Sequence, residues 1–114
     1  MEQIPVGSDV VLVVDDEPHI VALVAYHLAK SGYRVVTAAN LHDALILLKT
    51  MRPAVVVMGA GLHALRGTSS AEEFHRRLPS NGLVVLPSEF SSHDAGDAGA
   101  AVMRAIEERG SPGH

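Results

Sequence analysis

The sequence predicts an α/β fold with a parallel sheet, because short apolar runs alternate with helical patterns along its 114 residues. The third run, residues 54–58, is apolar throughout, as expected of a central strand that is buried on both faces of a parallel sheet. Turn-forming residues bound the runs, among them Gly32, Pro53 and the segment 79–82. A chain of this length can bury one core, so we expect a single domain.

Each element has its own signal in the sequence. We expect strands at 10–14, 34–37, 54–58 and 83–86, with helices over 18–31, from Leu41, from Ser70 and up to about Arg109. Pro18 in the first turn and Gly32 just beyond the end delimit the first helix. Asn40 is a good N-cap for the second helix. Ser70 with Glu73 predicts a capping box at the start of the third.

Composition excludes several classes of function. The net charge of −4 provides no concentrated basic face, so we expect no nucleic-acid partner. Cysteine is absent, which excludes disulfides and thiolate metal sites and agrees with a reducing compartment. No apolar run approaches the roughly 18 residues of a membrane span, and residues 1–5 lack the layout of a signal peptide. We therefore expect a cytoplasmic protein without a membrane partner, forming one domain over 1–114 with flexible ends at 1–8 and 111–114.

An acidic pair at the end of the first strand is the main candidate for chemistry. Asp15 and Asp16 follow four apolar residues and precede Pro18, and open α/β sheets bind ligands at the carboxyl ends of their strands. Adjacent carboxylates repel each other unless solvent, a cation or hydrogen-bond donors lie nearby, and Mg²⁺ prefers such oxygen ligands. We expect an acidic pocket that binds Mg²⁺ weakly. A solvated loop that caps the next helix is the alternative.

Histidines and glycines give weaker signals. The chain has seven histidines, and Glu17 with His19 near the acidic pair could offer mixed metal ligands. The others lack a common spacing, and we expect no specific transition-metal site; His42, His63, His75 and His93 are predicted on loops or polar faces. The segment 59–61 starts like a phosphate-binding loop, but it lacks the third glycine and the Lys-Ser/Thr pair. A turn after the third strand is the preferred interpretation.

Three segments carry a resemblance to a known family: VLVVDDEP at 11–18, KSGY at 30–33 and RPAVVVM at 52–58. From about residue 10 to residue 86 the chain resembles the receiver domain of bacterial two-component response regulators, the CheY-like superfamily. The resemblance implies a flavodoxin-like three-layer sandwich with strand order 2-1-3-4 and a fifth strand beyond. It also implies that Asp15 and Asp16 hold Mg²⁺ beside a phosphoacceptor aspartate.

The chain departs from the family pattern at several positions. The phosphoacceptor position falls on Gly59, which has no nucleophile. The family has a serine or threonine at the end of its fourth strand. Here that position falls at Pro87 or Ser88, and only Ser88 carries a hydroxyl group. The family also has a lysine in its fifth strand. The two lysines of this chain, Lys30 and Lys49, both belong to earlier helices, so that lysine has no counterpart and the fifth strand is missing or atypical. We therefore expect a degenerate receiver that is not an enzyme and requires no cofactor.

Two functions from different classes remain open. The favoured one is a signalling module that is not phosphorylated and acts through a protein partner, or as a homodimer formed by the strand edge at Leu83–Leu86 or by the C-terminal segment. The alternative is a flavodoxin-like domain, ligand-binding or enzymatic, that reuses the cleft at the carboxyl ends of the strands. That cleft would be lined by Asp15, Asp16, Gly59 and Ser88.

Overall fold

Strands and helices alternate through the part of the chain described by a computed structural model, residues 10–79 and 82–86. In order they are β1 (Val10–Val14), α1 (Pro18–Lys30), β2 (Arg34–Ala38), α2 (Leu41–Met51), β3 (Val55–Gly59), α3 (Ala60–His63), α4 (Ser69–Arg77) and β4 (Leu83–Leu86). The predictions for the chain ends, the last helix, the fifth strand and Ser88 lie outside the described residues.

The strands form one parallel sheet in the order β2-β1-β3-β4, which confirms the fold class and the strand order. In its register Val14 of β1 lies opposite Ala38 of β2 and Met58 of β3. All residues of β1 and β3 are buried, as the two central strands of a covered sheet should be. The carboxyl ends of β1 and β3 therefore meet at one edge of the sheet.

Helices cover both faces of the sheet, so the core has two halves. Side chains alternate along each strand, and Leu12 and Val14 pack on one face against residues of α2 and α4. Val11 and Val13 pack on the other face against α1. Phe74 of α4 is the largest fully buried side chain and anchors its helix in the first half. The result is the three-layer sandwich predicted from the resemblance.

Capping confirms one predicted helix start and corrects another. The Asn40 side chain accepts a hydrogen bond from the backbone N–H of Asp43 at 2.8 Å, as predicted for α2. The cap of α4 is Thr68, whose hydroxyl accepts from the Ala71 N–H at 3.0 Å, so the predicted capping box of Ser70 and Glu73 was wrong. Glu73 instead pairs with side chains of α2 and α4, accepting from Arg77 Nε at 2.8 Å and lying 3.9 Å from Lys49 Nζ.

The segment after β3 also differs from the prediction. Gly59 is the last residue of β3, and residues 60–63 form the short helix α3 where a turn was expected. The loop between α3 and α4 is held by Glu72, which accepts hydrogen bonds from the Gly67 N–H at 3.0 Å and from Arg66 Nε at 3.2 Å. These bonds, Arg66 first, hold the pKa of Glu72 down at about 2. None of the helices within the described ranges is long and apolar enough to span a membrane.

Candidate functional site

The candidate site is assembled by the register of β1 against β3. Val14 lies opposite Met58, so the next residues of the two strands, Asp15 and Gly59, come side by side. The Asp15 N–H donates to the Ala38 carbonyl at 3.2 Å, which ties the end of β1 to β2 as well. The acidic corner, which we define as Asp15, Asp16 and Gly59, is therefore fixed by the central strands.

The Asp15 carboxylate covers the α-carbon of Gly59. A Cβ added to Gly59 would lie 2.6 Å from Asp15 Oδ2, closer than real Cβ atoms come to a neighbour, and 3.1 Å from Asp15 Cγ, which is a tight contact. The φ angle of Gly59 is −69°, a value that any residue adopts. Glycine at position 59 therefore supplies space for Asp15 and does not supply a special backbone conformation.

Burial and neighbouring carboxylates make Asp15 an unusual acid. Its pKa is raised, first by burial and further by the hydrogen bond and charge of Asp16 and the charge of Glu17, while a backbone hydrogen bond opposes the shift. That bond runs from the Glu17 N–H to Asp15 Oδ1 at 3.0 Å. Asp16 is exposed. A nearby cation or proton donor would therefore favour the ionised form of Asp15.

The structure bears on each predicted metal ligand. Asp15 and Asp16 supply the carboxylate oxygens that suit Mg²⁺, while position 59 contributes no oxygen from a side chain. Glu17 and His19 contact each other, with Glu17 Oε1 3.6 Å from His19 Nε2, and both are exposed. In the part of the chain that the structure describes, no group of three or more His, Asp or Glu residues is placed to hold a metal ion. Mg²⁺ binding by the acidic pair stays a prediction.

A cleft of about 430 Å³ lies next to the acidic corner. It shares Asp15 with that corner, whereas Asp16 and Gly59 do not line it. Its walls come from α1, from the end of β2 and from the start of α2: Pro18, Val21, Ala22, Ala25, Thr37, Ala38, Ala39 and Asp43. The cleft therefore differs from the one that the sequence predicted at the carboxyl ends of the strands.

Two histidines that were predicted on loops or polar faces, without a common spacing, lie together in the structure. The rings of His63, at the end of α3, and His75, in α4, have centroids 5.3 Å apart at an interplanar angle of 62°. The pKa of His75 is lowered by burial, by the charge of Arg66 and by His63. No sequence spacing signals this pair, because its proximity depends on α3 and on the loop that Glu72 holds.

Comparisons with known proteins agree on one family. The family model described as "Response regulator receiver domain" matches residues 11–107. The chain is 37% identical over 84 residues to the alkaline phosphatase synthesis transcriptional regulatory protein PhoP of Bacillus subtilis, covering 74% of this chain and 35% of that protein. It therefore spans about a third of the length of that relative.

Solved structures show the same fold. A response regulator from Desulfuromonas acetoxidans superimposes with a TM-score of 0.65 at 13% identity, covering 86% of this chain and 96% of that one. The receiver domain of the Francisella response regulator 1452 gives a TM-score of 0.63 at 19% identity, covering 89% and 98%. At these identities the likeness concerns the fold alone.

The contact between Asp15 and Gly59 generates a prediction about stability. Gly59→Ala forces the Asp15 carboxylate to move, so we expect a loss of about 1 kcal/mol in the free energy of unfolding. In an Asp15→Ala background the same change should stabilise by roughly 0.4–1 kcal/mol, because alanine restricts the unfolded chain. Urea unfolding of the four proteins gives the coupling between the two positions.

The matched control for this cycle replaces Asp16, which is exposed, instead of Asp15. In an Asp16→Ala background, Gly59→Ala should cost as much as it does in the native chain. An equal effect of Gly59→Ala in all three backgrounds would contradict the assigned contact.

Proposed function

Because the chain belongs to the family of response regulator receiver domains, we propose that it is a receiver that is not phosphorylated and that acts by contact with a protein partner. One observation carries the proposal: β3 ends in Gly59, at the position that the resemblance assigns to the phosphoacceptor, and the space for a side chain there is taken by Asp15. Family membership favours this signalling role over the ligand-binding or enzymatic alternative.

Phosphoryl transfer requires an attacking oxygen at a fixed position relative to the metal ion. The neighbours of Gly59, Met58 and Ala60, have no side-chain oxygen. Asp15 brings a carboxylate to this place, but the resemblance assigns Asp15 to the metal ion. If it were the nucleophile instead, Asp16 would be left as the only carboxylate of the acidic corner for Mg²⁺. The arrangement therefore supports a receiver without phosphoryl transfer.

Contact with other proteins is the remaining way for such a domain to transmit a signal. Among the residues that the structure describes, β4 lies at the edge of the sheet and pairs with β3 on one side. Its side chains are apolar, and Val85 is 38% exposed. Apolar strand edges favour pairing with another strand, which supports a homodimer through Leu83–Leu86. PhoP is named as a transcriptional regulatory protein, but this chain matches only about a third of its length, so control of transcription is not part of the proposal.

The dimer has a direct test. A Val85→Lys variant should weaken strand pairing, because it puts a charge on an exposed position of the β4 edge. We expect light scattering at micromolar concentration to give the mass of two chains for the native protein and of one chain for the variant. A mass of one chain for the native protein would rule out the homodimer and leave contact with a different protein.

Beryllofluoride, a mimic of the phosphoryl group, tests the loss of phosphorylation chemistry. We expect beryllofluoride with Mg²⁺ to cause no saturable change in the amide NMR signals of Asp15 and Gly59. Mg²⁺ alone is the reference, and small shifts near Asp15 and Asp16 would reveal weak binding of the ion. Saturable shifts around Gly59 with beryllofluoride would instead indicate a cleft that binds ligands and would contradict the proposal.

A further inference from the structure

The most informative unassigned feature is the histidine pair, which we define as His63 and His75. His63 closes α3, four residues after Gly59, and His75 lies in α4. Both side chains are half-buried, and their ring centroids are 5.3 Å apart. The pair joins the segment that follows β3 to the next helix.

The distance between the two rings suits a shared metal ion. In a tetrahedral site an imidazole nitrogen lies about 2.0–2.1 Å from the metal, which puts the ring centre about 3.2 Å away. Two such rings at a tetrahedral angle have centres about 5.2 Å apart. The observed separation of 5.3 Å is close to this value. The rings, which lie edge to face at 62°, would need to turn so that one nitrogen of each faces the ion.

A second observation points to a ligand at the same place. His75 Nε2 is buried, and within residues 10–79 and 82–86 no hydrogen-bond partner reaches it. Buried polar atoms of native proteins nearly always have a partner, so this nitrogen calls for a group that is not part of the described residues. An imidazole nitrogen that lacks a proton offers a lone pair, and neutral imidazole is the commonest metal ligand among side chains.

The neighbouring charged residues set the number of protein ligands. Glu72 lies one helical turn before His75, but both of its oxygens are engaged: Oε1 by Arg66 at 3.2 Å, and Oε2 by Arg66 and by the Gly67 N–H. The Glu72 carboxylate therefore holds the loop in place and is not available as a metal ligand. Two histidines with water in the remaining positions imply modest affinity. Imidazole ligands select zinc, copper and nickel over magnesium and calcium.

We propose that His63 and His75 form a binding site for a divalent transition metal ion of the zinc class. The ion fastens α3 to α4 and bridges the segment that leaves the acidic corner to a helix of the core. This site does not depend on the proposed function, because neither histidine belongs to the acidic corner. A receiver that cannot be phosphorylated would gain a chemical input by this route.

The test is a Zn²⁺ titration of the full chain without a histidine tag, in competition with a chromophoric chelator. We expect one Zn²⁺ per chain, and we expect His63→Gln and His75→Gln each to weaken binding at least about tenfold. His42→Gln is the matched control, because His42 is exposed and lies outside both the histidine pair and the acidic corner. This change should leave the affinity unaltered.

A second measurement separates loss of the site from loss of the fold. Each variant is first checked by circular dichroism, and the His75 variant is accepted only if its thermal transition remains cooperative. In the native chain, Zn²⁺ should shift the ring Cε1–H NMR signals of His63 and His75 together, and Mg²⁺ should leave them in place. Failure of Zn²⁺ to bind, or binding that survives His63→Gln, would overturn the proposal. Neither outcome would change the beryllofluoride result at Gly59, so the test of the histidine pair and the test of the proposed function can fail separately.

Discussion

The structure depends on the parallel pairing of β1 with β3. Val14 lies opposite Met58, and from this one register it follows that Asp15 and Gly59 meet at the same edge of the sheet. A slip by one residue would turn every side chain of the strand to the other face. Both strands are buried on both faces, so such a slip would also break up the two halves of the core. The packing of the hydrophobic core thus fixes the geometry of the acidic corner.

At the site, the carboxylate of Asp15 occupies the space in which a phosphoacceptor side chain at position 59 would lie. The resemblance assigns an aspartate to position 59, and the chain has a glycine whose space Asp15 occupies. The pKa of Asp15 is raised, because its carboxyl group is partly buried and lies beside Asp16 and Glu17. The backbone at Gly59 would accept other residues. Gly59 therefore makes room for the Asp15 side chain, and its backbone angles do not require a glycine.

Much of the fold could be predicted from local sequence signals. Apolar runs gave all four strands within one residue of their ends, and Asn40 gave the start of α2, because burial and capping are local requirements. One error arose where two local signals compete. Ser70 with Glu73 matches a capping box, but Thr68 provides the cap. The helix α3 was missed for a different reason, because its four residues are too few to show a helical period.

The candidate site was predictable only in part. The position of Asp15 and the glycine at 59 follow from the strand pattern and the resemblance. The Asp15 carboxylate lies over Gly59 because of side-chain packing, which the spacing of residues in the sequence does not predict. The pair of His63 and His75 is hidden for a similar reason, since it forms through the course of the loop that Glu72 and Arg66 fasten.

The most direct measurement of the central claim is the intact mass of the chain after incubation with acetyl phosphate and Mg²⁺, with a Gly59→Asp variant treated in parallel. The account predicts that the native chain gains no phosphoryl group. A gain by the variant would show that the rest of the corner still supports the transfer. A phosphoryl group on the native chain, above all one that maps to Asp15, would contradict the account.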